Sequence, residues 1–140
     1  MSIQAVLLPL FAQVLLTFVL LIWMGYQRQV AYRSGATHPR DIALREPNWP
    51  KPALQAANSF SNQFELPVLF YVAIVAAWIT RKADLIFVVL AWIFVLARIG
   101  QAYVHNTSNQ VLVRGKIYAV GALALLLMWL ILIVRVLLAA

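Results

Sequence analysis

The chain has 140 residues, of which 64% are hydrophobic and 11% charged, with a mean hydropathy of +0.87. These values exclude a water-soluble globule and indicate an integral membrane protein, short enough for one compact domain over residues 1–140. With no cysteine, disulfides, thiolate metal sites and a cysteine nucleophile are excluded; the net charge of +7 lies beside apolar runs, which points to membrane lipids as partners and not to nucleic acid.

The first span is expected over residues 3–26, an apolar run interrupted by Gln4, Gln13, Thr17 and Gly25 and long enough to cross about 30 Å of hydrocarbon. No basic segment precedes it and no small-x-small site closes it, so it does not read as a signal peptide. Gln27 to Pro52 holds five basic residues among Gly35, Pro39, Pro47, Pro50 and Pro52, a density of breakers that predicts a loop. The second span is expected over 54–80. Its first third is too polar to face lipid, and Pro67 should bend it. A turn at Arg81, Lys82 and Asp84 leads to a third span over 85–104. The short polar connection "HNTSNQ" then leads to a fourth over 111–138. The fold class is therefore all-α, an integral membrane four-helix bundle.

Basic residues in short loops set the orientation. The first loop carries five, and the third connection is flanked by Arg114 and Lys116, whereas the second turn carries Arg81 and Lys82. Loops one and three are expected on the cytoplasmic side and both termini on the opposite side.

Three spans each carry a polar face near one depth. Gln55, Asn58, Asn62 and Glu65 recur at three- and four-residue steps, as do Arg98, Gln101 and His105, and Arg114 with Tyr118 forms an i, i+4 pair. A carboxylate inside a span costs at least about 2.5 kcal/mol, so Glu65 needs partners or work. It is expected to be buried against Arg98 or Arg114. The bland alternative is an interhelical network that only secures packing. His38 reads as a solvated loop residue, His105 as an interfacial helix-end residue, and no metal site is expected. The tryptophans read as interface or packing aromatics, and Gln13 and Thr17 as inter-helix hydrogen-bonding groups.

At "NQFELP", that is Asn62, Glu65 and Pro67, the sequence resembles the MAPEG family, the membrane-associated proteins in eicosanoid and glutathione metabolism. Arg98, followed sixteen residues later by Arg114 and four further on by Tyr118, is a second match. The resemblance covers essentially the whole chain and is that of a divergent member. Two positions depart from the family's pattern: Asn58 stands where well-characterised members have an Arg, and His105 stands where an aromatic hydroxyl is often found.

The resemblance implies a homotrimer with glutathione bound between neighbouring subunits. It implies Arg114 as the catalytic residue that stabilises the thiolate, and Asn62, Glu65, Arg98 and Tyr118 as residues that hold the tripeptide. The activity implied is that of a glutathione-dependent transferase or peroxidase acting on lipophilic electrophiles from the bilayer. The alternative is a non-catalytic lipid-binding or scaffold protein of the same fold. A transporter is disfavoured by four spans without broken-helix repeats.

Overall fold

The structure, a computed structural model, describes residues 1–139. Five α-helices follow one another: α1 (Ile3–Arg33), α2 (Lys51–Ser61), α3 (Leu66–Ile79), α4 (Leu85–Asn106) and α5 (Val111–Leu138). Short 3-10 turns occupy Pro39–Asp41 and Asn62–Phe64, and no strand occurs among the described residues. Four segments are long and apolar enough to cross a membrane: α1, the pair α2 and α3 together as Lys51–Ile79, α4 and α5. The chain is an all-α, multi-pass membrane protein.

The first helix is longer than the apolar run suggests. It starts at Ser2, whose hydroxyl accepts the amide of Ala5 at 3.2 Å, and passes the buried Pro9 without ending. It then continues through Gln27 and Arg28, assigned from sequence to the loop, as far as Arg33. Charge alone does not end a helix, and Gln, Arg and Ala are good helix formers. The stop comes at Gly35, at a φ of +75°, where the amide of Ala36 reaches the Ala31 carbonyl at 3.1 Å and that of Gly35 reaches Tyr32 at 3.2 Å. Those two bonds make a Schellman end, which requires a left-handed residue at this point. Beyond it the loop folds back on the helix, with the Arg28 guanidinium 5.0 Å from the Trp49 ring centre and Tyr32 edge-on to the same ring.

The second span is broken, not bent, and the break lies upstream of the proline. Pro67 sits in the first turn of α3, where its missing amide donor costs nothing. In an unbroken helix it would leave the Gln63 carbonyl without a partner and push its ring against that carbonyl. The chain avoids this by tightening into a 3-10 turn over Asn62–Phe64 and leaving helical geometry at Glu65 (φ −99°, ψ −106°).

The apolar core lies beside α3. Phe70 stacks on Phe94 of α4 at 4.7 Å between ring centres, and Ala73, Ala77, Ala91 and Met128 are buried around them. Small residues let the helices approach: a methyl group on Gly121 of α5 would lie 3.3 Å from the Ala97 Cβ of α4. Between α1 and the break runs a polar seam. Gln13, fully buried, donates through Nε2 to Gln63 Oε1 at 2.9 Å, Gln63 donates to the Ser59 carbonyl at 2.9 Å, and Asn106 donates to the Ser59 hydroxyl at 3.0 Å. Thr17, by contrast, donates to the Gln13 carbonyl of its own helix.

At the opposite end, Asp84 both caps and clamps. Its carboxylate accepts the amide of Phe87 at 3.0 Å and pairs with Arg135 of α5 at 2.7 Å, while Arg135 also donates to the Lys82 carbonyl at 3.3 Å. The hydrogen bond from Arg135, opposed by partial burial, holds the Asp84 carboxyl below its ordinary value of 3.8. A carboxylate depressed on folding stabilises above its unfolded value, and that contribution is lost as pH falls through the folded value. With the side chains of Arg135 and Asp84 31% and 45% exposed, the pair contributes at most about 1 kcal/mol. Asp84→Asn, which keeps a capping oxygen, should lose about that amount at neutral pH, and Asp84→Ala, which also loses the cap, about 1 kcal/mol more. Thermal unfolding in detergent at neutral pH and at about pH 3 measures both, and the gap between the native chain and Asp84→Asn should narrow in acid.

Candidate functional site

The break in the second span and the start of α5 enclose a cavity of about 510 Å³. Asn58 and Ser61 of α2, with Asn62 and Glu65 of the break, form one wall. Gln101 and His105 of α4 form the back. Arg114, Gly115 and Tyr118 of α5 form the other wall, with Val111 at the rim. Each wall has its own local reason. Asn58 and Asn62 are one helical turn apart, so both face the same side, and Arg114 and Tyr118 are likewise one turn apart on α5. Gln101 and His105 are one turn apart near the end of α4.

Of the residues expected to form a site, Asn62, Glu65, Arg114 and Tyr118 line this cavity together. Arg98 stands behind it. It is only 2% exposed, and its guanidinium donates through Nη1 to Gln101 Oε1 at 2.8 Å and through Nη2 to the Asn62 carbonyl at 3.1 Å, while Nε has no partner. Arg98 therefore holds two pieces of the wall in place, the broken backbone and the Gln101 side chain.

Glu65 is not buried against a cation. It is exposed on the surface of the single chain, and among the described residues the ion pairs are Arg40 with Asp41 and Asp84 with Arg135. The expected partners are engaged elsewhere: Arg98 as above, and Arg114 through Nη1 with Asn109 Oδ1 at 2.6 Å. The physical reason is the break, because a carbonyl released from the helical ladder at Asn62 is an acceptor that Arg98 can reach. Glu65 itself falls just after the helical stripe has ended.

His105 is the second correction. Read as interfacial, it is 8% exposed and lines the cavity. The signal was present: Arg98, Gln101 and His105 lie on one face of α4, so a buried Arg98 implies a buried His105 two turns on. Ser61 and Gly115 had no signal, since small residues acquire a role only from what folds over them. His38 is exposed in the first loop, as expected.

The cavity thus holds one carboxylate, one guanidinium, a phenol, an imidazole and several neutral amides, with the Arg98 charge behind the wall. It is open at the side, where Asn58, Glu65, Val111 and Tyr118 are exposed. A donor set of this kind suits a polar ligand carrying both carboxylate and ammonium groups.

No curated protein and no solved structure matches the chain. The family model of the MAPEG family matches residues 6–134, the whole of the four spans except their outermost ends. Four membrane-crossing helices, the Asn62 and Glu65 break and the Arg114 and Tyr118 pair on one cavity fall within that match, and the chain belongs to the MAPEG family.

Proposed function

We propose that this cavity binds glutathione and that the protein is a glutathione-dependent transferase or peroxidase acting on lipophilic electrophiles that enter from the bilayer. The observation that carries the reading is the convergence of Asn62, Glu65, Arg114 and Tyr118 on one cavity. Arg114 uses one nitrogen on Asn109, and its remaining donors are available to a sulfur. A free thiol titrates near about 8.5, and a fixed guanidinium beside it favours the thiolate, the form that attacks an electrophile. Glu65 takes the ligand's ammonium group. The amides of Asn58 and Asn62 and the Tyr118 hydroxyl are placed to meet its carboxylates and peptide groups.

The open side of the cavity supports assembly as a homotrimer in which a neighbouring copy closes each site. An exposed carboxylate within a span is costly in lipid, and a second polar surface laid over it removes that cost. The surplus of basic residues on loops one and three supports a cytoplasmic position for both, and with it a cytoplasmic mouth for the site. Asn58, at the place where the resemblance expects an Arg, favours the second reading, a lipid-binding or scaffold protein, because one cationic clamp is absent from the wall.

Four measurements test this. Glutathione binding by the detergent-purified chain should be weakened by Glu65→Gln by about tenfold, the loss of one charge-assisted hydrogen bond of about 1.5 kcal/mol. Arg114→Ala should abolish the thiolate absorbance of bound glutathione at neutral pH, and a native chain that binds no glutathione supports the scaffold reading instead. Native mass spectrometry from mild detergent should give a trimer, and a stable monomer would contradict the shared site. Single cysteines placed at Ser2 and Ser34 in this cysteine-free chain should be labelled from opposite sides of the membrane, with Ser34 on the cytoplasmic side.

A further inference from the structure

We infer that His105 accepts the thiol proton of the bound ligand and returns it at the end of the reaction, so that the site carries its own base in addition to the cation that steadies the thiolate. This rests on the glutathione reading above and deepens it.

The imidazole lines the cavity and is nearly buried. Among the described residues it makes no side-chain hydrogen bond, yet neither ring nitrogen belongs to the buried atoms left without a partner, which are Gln13 Oε1, Arg28 Nε, Arg98 Nε and Asn106 Oδ1. A ring nitrogen that is neither bonded nor enclosed keeps some open surface, and the cavity is an open space that this residue lines. In its neutral form the ring has one donor and one acceptor, and the acceptor is free.

The other groups on the walls cannot do this work. A guanidinium has no lone pair with which to take a proton, and a phenol is a base only as its phenolate, so neither Arg114 nor Tyr118 serves. Glu65 is a carboxylate, far too weak a base for a thiol, and Asn58, Asn62, Ser61 and Gln101 do not titrate. The imidazole, ordinarily titrating near about 6.5, is the lining group nearest in range to a thiol near about 8.5.

The surrounding charges decide when the transfer occurs. Arg114 on α5 and Arg98 on α4 lie within electrostatic reach of His105, Glu65 faces the same cavity from the break and Tyr118 from α5, and α2 contributes only neutral side chains to it. Two guanidiniums against one carboxylate leave the empty site with a net positive charge. Glutathione brings one net negative charge. Passing its proton to the ring then leaves the total charge in this low-dielectric site unchanged, whereas expelling the proton would leave an extra negative charge behind.

The step balances. The S–H bond breaks, its electron pair stays on sulfur beside Arg114, and the proton joins the ring nitrogen's lone pair. The thiolate then forms the S–C bond to the electrophile. The displaced electron pair leaves on the departing atom, or moves onto the electrophile's own acceptor atom in an addition, and the imidazolium N–H protonates it.

The test counts protons. The detergent-purified chain is titrated near pH 7 with glutathione and with S-hexylglutathione, which has no thiol, and thiolate absorbance is read alongside proton release to a weakly buffered medium. In the native chain the thiolate should form with well under one proton released for each. In His105→Gln the bound thiolate at neutral pH should fall by about tenfold or more, each remaining thiolate should release a whole proton, and S-hexylglutathione binding should be nearly unchanged. One full proton released per thiolate in the native chain, or a variant with an unaltered thiolate titration, overturns the inference while the glutathione site stands. Failure of both ligands to bind the native chain overturns the site and the inference together. If the variant binds neither ligand, the native proton count alone decides.

Discussion

A helix can be opened inside a membrane only where something other than water satisfies the backbone groups it releases. In this chain Arg98 does so for Asn62, whose carbonyl also accepts the Glu65 amide at 3.4 Å: it reaches that carbonyl from α4 at 3.1 Å while holding Gln101 at 2.8 Å. The rest of the polar half depends on this contact. It allows Pro67 to sit in a first turn instead of a helix interior, it separates the polar α2 from the apolar α3, and it holds the side chain of Gln101 at the back of the cavity. A guanidinium suits the task because it stays charged and offers several donors in a rigid plane.

The molecule is organised along its length by this break. On one side, α3 packs its alanines and Phe70 against α4 and α5, an arrangement of small and aromatic side chains. The far end is closed by the Asp84 and Arg135 clamp, which joins the turn before α4 to the last turns of α5. On the other side, the polar seam from Gln13 through Gln63 and Ser59 to Asn106 ties α1, α2 and α4 together, so that the cavity walls are held by hydrogen bonds and not by apolar contact alone. Function sits where the packing changes from one regime to the other. A rigid apolar half anchors the helices, and the hydrogen-bonded half lines the cavity with amides, a guanidinium and an imidazole.

The two positions at which the chain departs from the family's pattern lie on the same cavity. Asn58 removes a permanent cation from the α2 wall, and His105 introduces a group that can gain and lose one at the back. On the proposed reading, these differences exchange a fixed positive charge for a titratable one, weakening static anion binding and adding the capacity to move a proton.

Much of this was legible in the residues alone. Hydropathy set the four crossings, because in lipid the only cheap arrangement for an apolar run of that length is a helix. Helical spacing set which polar residues share a face, and so grouped Asn58 with Asn62, and Arg114 with Tyr118. Spacing along one chain carries no information about what lies across from a side chain. The end of α1 at Gly35 instead of Gln27 depended on a capping geometry stronger than the local charge. The assignment of Arg98 to a backbone carbonyl, leaving Glu65 unpaired, depended on where the helix opened. The turning of His105 into a cavity instead of toward the interface depended on how α4 rotates against α2 and α5. The sequence by itself determined an all-helical membrane protein with polar faces at one depth. Only the tertiary structure decided which of those groups became wall, which became support and which stayed free, because hydrogen-bond partners in a low-dielectric interior are chosen by distance across helices and not by order along the chain.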